Sequence, residues 1–281
     1  MSDRLFGART LLFVPGDQPS KLDKAYASSA DAIIVDLEDA VRPAQRPAAR
    51  HLVAEWVSGL PRSGHSPLVL VRCNGAGTVD HQADLDALAG LPLDGIVLPK
   101  FGDIDSYRAA AVLAPLPVVA IVETARGMLN IMGTGPPPDN VRRLAFGAGD
   151  FSADIGVRWQ KSNPAILIAR CQLVWSSRAH GLRAPIDTAF PWLDDEAGLA
   201  EEARVAATIG YSGKFCIHPG QLDVVKSAMS ITADEQAWAR RILDAWAGAV
   251  DGTAGAFRLG EEMIDEAVVK RARNVLRDSE N

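Results

Sequence analysis

Short apolar runs recur along the chain, and most end in a charged or polar side chain. Residues 32–35 run into Asp36, with Glu38 and Asp39 just beyond. Residues 68–71 end at Arg72, 96–99 at Lys100, 118–122 at Glu123, 144–149 at Asp150, 185–186 at Asp187, and 215–217 at His218. From Asp36 onward these residues are spaced 23 to 37 positions apart. That interval fits a strand, a loop and a helix. Apolar strands alternating with helical patterns predict an α/β protein with a parallel sheet built from βα units. Polar side chains collecting where strands end predict a (β/α)8 TIM barrel, which gathers its functional groups on one face.

The pattern places strands at 10–14, 32–37, 68–72, 95–98, 118–122, 143–146, 184–187 and 213–217. Helical periodicity is read at 20–30, 47–57, 84–88, 107–113, 164–180 and 195–209. Eight strands are complete by about residue 228, so residues 1–228 are expected to form the barrel. Residues 229–281 form a C-terminal helical extension, with helical patterns at 233–247 and 263–275 joined by a glycine-rich segment at 248–260. This extra material either caps the barrel or reaches a neighbouring subunit.

Composition narrows the function classes. Of 281 residues 48% are hydrophobic, enough for a substantial core. The net charge of -6 and the pI near 5.4 disfavour a nucleic-acid partner, while leaving room for a local cationic pocket for an acidic small molecule. Cys73, Cys171 and Cys216 are odd in number and far apart, so a reducing, cytoplasmic setting is expected. No targeting segment or membrane span is read. The longest apolar stretch, 109–122, is broken by Pro115 and Pro117.

The strongest chemical pair is Glu123 with Asp150, at the ends of strands that would be neighbours. Two hard carboxylates with room for water and a chelating substrate suit Mg2+ or Mn2+. Helix capping or pairing with an arginine is the structural alternative. Arg72 is either a bidentate clamp for a carboxylate or the partner of Asp36 or Glu38. Lys100 could meet a phosphate or oxyanion. In the acidic turn Asp36, Glu38 and Asp39, some carboxylates are expected to orient Arg72 or a water and at least one to cap a helix. Cys216 and His218 are read as a buried thiol and a hydrogen-bonding imidazole rather than a nucleophile pair. Gly147-Ala148-Gly149 lacks the rest of a dinucleotide fingerprint, and no Walker A, HExxH or GxSxG pattern is present.

Seven motifs, in order, resemble one family. They are Leu12-Phe13-Val14-Pro15-Gly16, Val35-Asp36-Leu37-Glu38-Asp39-Ala40, Val71-Arg72-Cys73-Asn74, Leu98-Pro99-Lys100, Ile121 to Gly127, Phe146 to Phe151, and Cys216-Ile217-His218-Pro219. The chain is similar over residues 8–275 to the citrate lyase beta-subunit-like proteins of the HpcH/HpaI aldolase superfamily. The resemblance implies a (β/α)8 barrel, often trimeric, acting on acyl-CoA thioesters. Such proteins cleave or form a C–C bond in carboxylate-bearing 3-hydroxyacyl-CoAs such as citramalyl-, malyl- or citryl-CoA, giving a keto acid and an acyl-CoA.

By the same resemblance, Glu123 and Asp150 hold Mg2+, Arg72 grips the keto-acid carboxylate, and Lys21 and Lys24 lie where CoA phosphates are met. From their places at strand ends, Lys100 is expected to meet substrate together with Glu123 and Arg72, and Asp36 and Glu38 to belong to the catalytic group with Arg72. Asp265 matches an acid/base that enters the next subunit's site of a homotrimer. The chain departs from the family pattern around Asp265, with Glu261-Glu262 before Met263 and Glu266-Ala267 after the aspartate. The alternatives are a class II aldolase on free keto acids, a malate-synthase-like or thioesterase activity on CoA thioesters, and a catalytically inactive CoA-binding protein.

Overall fold

The computed structural model describes residues 2–249 and 255–279. The chain divides into two compact units, residues 1–229 and 230–281.

The first unit is a closed barrel of eight parallel strands in sequence order. They are β1 Thr10–Pro15, β2 Ala32–Asp36, β3 Leu68–Arg72, β4 Gly95–Leu98, β5 Val118–Val122, β6 Val141–Phe146, β7 Ile186–Asp187 and β8 Gly213–Cys216. β8 closes on β1 through Thr10 opposite Lys214. Ten helices accompany them: α1 Ser2–Gly7, α2 Pro19–Tyr26, α3 Arg46–Gly59, α4 Val79–Leu88, α5 Ile104–Val112, α6 Ala125–Gly133, α7 Ala148–Asp154, α8 Pro164–Ala179, α9 Glu196–Ile209 and α10 Leu222–Met229.

The strands are apolar on both faces because one face fills the lumen and the other lies under helices. Leu11, Ile34, Leu70, Val97, Val119, Ile121, Ile186 and Phe215 pack together in the lumen. Their neighbours Leu12, Ile33, Val69, Ile96 and Val118 join the outer core. Continuing this alternation by two residues brings Phe13, Asp36, Arg72, Glu123, Gly147 and Thr188 to the C-terminal mouth.

At the opposite end Arg143 points inward from β6 and is fully buried. Its five N–H groups all find neutral acceptors: the carbonyls of Leu5, Ala8, Ala184 and Pro185, and Ser212 Oγ. This ties α1 and the β6–β7 and β7–β8 edges together as a floor.

Several boundaries differ from the sequence expectation. The strand expected at 184–187 shortens to Ile186–Asp187. The helix expected at 84–88 begins at Val79, because Thr78 Oγ1 accepts the His81 N–H and caps it. The sequence pattern does not predict α1, α6, α7 or α10; each is short.

The second unit comprises α11 Ala233–Ala249, β9 Ala256–Leu259, β10 Glu262–Asp265 and α12 Glu266–Ser279. The helix expected at 263–275 starts three residues later. Residues 262–265 instead pair antiparallel with 256–259 across a turn in which Gly260 takes φ +62°. Part of the glycine-rich segment, residues 250–254, lies outside the described residues. Ala239, Ile242, Ile264, Val269 and Ala272 form this unit's own core.

Candidate active site at the barrel mouth

Glu123 follows β5 directly and is buried. One carboxylate oxygen accepts the backbone N–H of Lys100 at 2.9 Å. The other lies against Gly147, where a Cβ would stand 2.5 Å from Oε2, so only glycine fits there. Lys100 adopts φ +52°, unusual outside glycine. That turn is pinned by Phe101 N–H donating to the Ile121 carbonyl, and it aims the Lys100 amide at Glu123.

Burial, reinforced by repulsion from Asp150 and then Glu38, pushes the Glu123 carboxyl up to about 8. Asp150 is not at the strand end itself. It is exposed in the first turn of α7, beyond the end of β6 at Phe146.

Arg72 ends β3 and lies 4.9 Å over the Phe13 ring. Its Nε and Nη2 donate to the two oxygens of Asp36 at 2.8 and 2.6 Å. Its Nη1 is looser, 3.2 Å from Glu38 and 3.3 Å from Asp39. Asp36 also accepts the N–H groups of Glu38 and Ala40, which fixes the acidic turn. The three carboxylates, Asp36 foremost, raise the Arg72 pKa and keep its charge despite burial. The ion-pair alternative for Arg72 is therefore present, and it leaves the Nη1 edge as the one able to turn to a ligand.

Lys100 Nζ bonds Glu38 at 2.8 Å and is half-exposed. Burial raises the Glu38 pKa, opposed by Arg72 and Lys100. Beside the cluster opens a cavity of 320 Å³, whose walls include Glu38, Asp39, Arg46, Asn74, Thr78 and Lys100. Arg72, Glu123 and Asp150 do not line it.

The structure thus gathers Asp36, Glu38, Arg72 and Lys100 in one bonded network that reaches Glu123 through the Lys100 amide. Lys21 and Lys24 are exposed on α2, outside that network. Asp265 ends β10 in the second unit, where its Oδ1 accepts the Val268 N–H and caps α12. Cys216 is buried, its thiol pushed up to about 12 by desolvation, and His218 Nδ1 accepts the Gly220 N–H. Neither is poised as a nucleophile. Sequence reasoning missed Gly147, Thr188 and the role of the Lys100 backbone. Only Gly147, inside a Gly-Ala-Gly-Asp run, carried a visible signal.

The cluster fits a hard divalent cation. Burial first, and then repulsion from Asp150, disfavour the ionised form of Glu123, and a cation beside the pair would favour it. Among the described residues no group of three or more His, Cys, Asp and Glu side chains could hold a metal.

The family model for HpcH/HpaI aldolase/citrate lyase matches residues 9–219, which contain all eight strands. The chain belongs to the HpcH/HpaI aldolase/citrate lyase family. It is 35% identical over 271 residues to a citrate lyase subunit beta-like protein of Mycobacterium tuberculosis, covering 95% of this chain and 93% of the relative. It is 32% identical over 273 residues to a (3S)-malyl-CoA thioesterase of Cereibacter sphaeroides, covering 97% and 94%. Among solved structures, CitE from M. tuberculosis in complex with magnesium, acetoacetate and coenzyme A matches with a TM-score of 0.82 at 34% identity, covering 98% of this chain and all of that one. The (β/α)8 barrel is thus common to this chain and its family. No helix among the described residues is long and apolar enough to cross a membrane.

Proposed function

We propose that the protein is a Mg2+-dependent carbon–carbon lyase that cleaves or forms a carboxylate-bearing 3-hydroxyacyl-CoA of the citramalyl, malyl or citryl type. The observation that carries this reading is the buried Glu123 carboxylate, anchored on the Lys100 amide at 2.9 Å and near both Asp150 and the partly committed guanidinium of Arg72. The magnesium and coenzyme A bound by the related CitE support it.

Glu123 and Asp150 would hold the metal, which supplies charge to acidify a coordinated hydroxyl. The Nη1 edge of Arg72 takes the substrate carboxylate, while Asp36 keeps the guanidinium in plane. Glu38 holds both Arg72 and the Lys100 ammonium in place. The hydroxyl proton passes to water in the cavity, whose wall carries the exposed Asp39. As the C–C bond breaks, its electron pair moves to the thioester as an enolate. The Lys100 ammonium faces that growing charge. Asp265 of a neighbouring chain in a homotrimer then delivers a proton to carbon. Lys21 and Lys24 would meet the CoA phosphates.

The test is purified protein with Mg2+ and a panel of citramalyl-, malyl- and citryl-CoA, reading keto acid and free thiol separately, with and without EDTA. Metal-dependent keto-acid release is expected, falling at least about a hundredfold in Glu123→Gln. Wild-type rate in that variant overturns the assignment. Free thiol without keto acid would instead support thioester hydrolysis, the reading favoured by the similarity to the malyl-CoA thioesterase.

A further inference from the structure

The helix that carries Asp150 has an unusual start. α7 begins at Ala148, and its N-cap is Gly147, which has no side chain to satisfy the first N–H groups. A capping serine, threonine or aspartate cannot stand there, because any Cβ would strike the Glu123 carboxylate at 2.5 Å. The Ala148 N–H is satisfied from another strand instead: Thr188 Oγ1, just past β7, accepts it at 2.9 Å.

Thr188 is itself buried and anchored. Its carbonyl accepts Lys214 Nζ at 2.8 Å, and that ammonium is locked by Asp187 at 2.7 Å and Glu202 at 2.6 Å. Arg170 closes this group by a two-point bond to Asp187, 2.9 Å on each oxygen. At the far end of α7, Asp154 Oδ2 accepts the Ala125 N–H at 2.7 Å, two residues beyond Glu123. The helix bearing one carboxylate is therefore tied at its start to the β7–β8 edge and at its end to the chain bearing the other.

We propose that Thr188 and Asp154 are positioning residues that hold α7 so that the exposed Asp150 faces Glu123 at metal-binding separation. This rests on the metal reading of that pair. Among the described residues the side chain of Asp150 has no hydrogen-bond or ion-pair partner, so its place depends on where the helix is tethered.

The test uses the full chain with Mn2+ as probe, titrated by electron paramagnetic resonance, with thermal melting alongside. Thr188→Val keeps the shape and removes the acceptor. It is expected to raise the Mn2+ Kd about tenfold, as loss of a bond that orients a ligand does, while Thr188→Ser stays within about twofold. Asp154→Ala, at an exposed position, is expected to raise it about fivefold and decides the matter should Thr188→Val fail to fold. Mn2+ affinity unchanged in the folded variants, even with a lowered Tm, overturns the proposal and leaves only a structural role. Wild-type protein that binds no Mn2+ overturns the metal reading and this inference together. Wild-type binding lost in Glu123→Gln but unaltered in the tether variants overturns the inference alone.

Discussion

The two ends of the barrel handle buried charge in opposite ways. At the floor a single arginine, Arg143, is fully enclosed with no carboxylate partner among the described residues, and neutral oxygens take all five of its N–H groups. At the mouth Arg72 and Lys100 meet Asp36, Glu38, Asp39 and Glu123, and Asp150 adds a fifth carboxylate that repels Glu123. At the floor every N–H of the arginine is hydrogen-bonded, although burial without a counter-charge lowers its pKa, and the group serves to close the fold. The mouth gathers more carboxylates than cations, and burial together with Asp150 raises the Glu123 pKa, an arrangement that suits the cation of the proposed function. Stability and function are thus separated along the barrel axis, as the fold allows.

The largest effect expected from this contrast is at the floor. Arg143→Met fills similar space but removes five N–H donors from the floor, where the Pro185 carbonyl keeps only the Ser212 N–H. Unpaired buried polar groups cost about 1–3 kcal/mol each, so a loss of at least about 3 kcal/mol is expected. That corresponds to a Tm lower by about 10 °C for a chain of this size. Mn2+ affinity of the folded protein should not change. A variant as stable as wild type would show that the floor is not held by this arginine.

A mouth substitution should do the reverse. Gly147→Ala places a Cβ against Glu123 Oε2 and must displace the carboxylate or the helix start. A rise of at least about tenfold in the Mn2+ Kd is expected, with a Tm change far smaller than that of Arg143→Met. Calorimetry of the metal-free and Mn2+-loaded variant separates the two. A large loss of stability with intact Mn2+ affinity would erase the distinction between the two ends.

The parts legible in the sequence were those that follow a single period. Inward alternation along an apolar strand is enough to place Asp36, Arg72 and Glu123 at the mouth, and the recurrent strand–helix interval is enough for the barrel. Arg143 obeys the same alternation, yet a charged residue inside a strand gives no hint that carbonyls from two distant segments and a hydroxyl from a third will enclose it. Thr188 was hidden for another reason: β7 is two residues long, too short to show a period. The hairpin at 256–265 was read as linker and helix because Met263, Ile264 and Val268 mimic helical spacing, while antiparallel pairing with 256–259 is a non-local fact. Lys100 was chosen for its ammonium, whereas the structure ties Glu123 to its amide, which no residue identity announces.

That last difference gives the smallest and sharpest test. Lys100→Gly and Lys100→Ala both remove the ammonium and its bond to Glu38, but both keep an N–H at position 100. They differ in backbone preference: alanine at φ +52° carries a left-handed cost of about 1–2 kcal/mol that glycine avoids. Lys100→Gly should therefore be more stable than Lys100→Ala by about 1 kcal/mol. If the turn is what presents the amide to Glu123, Lys100→Gly also keeps wild-type Mn2+ affinity, while its turnover falls with the lost ammonium. Mn2+ affinity lost equally in both variants would transfer the anchoring role from the amide to the side chain. The mouth would then depend on a salt bridge to Glu38 rather than on backbone geometry.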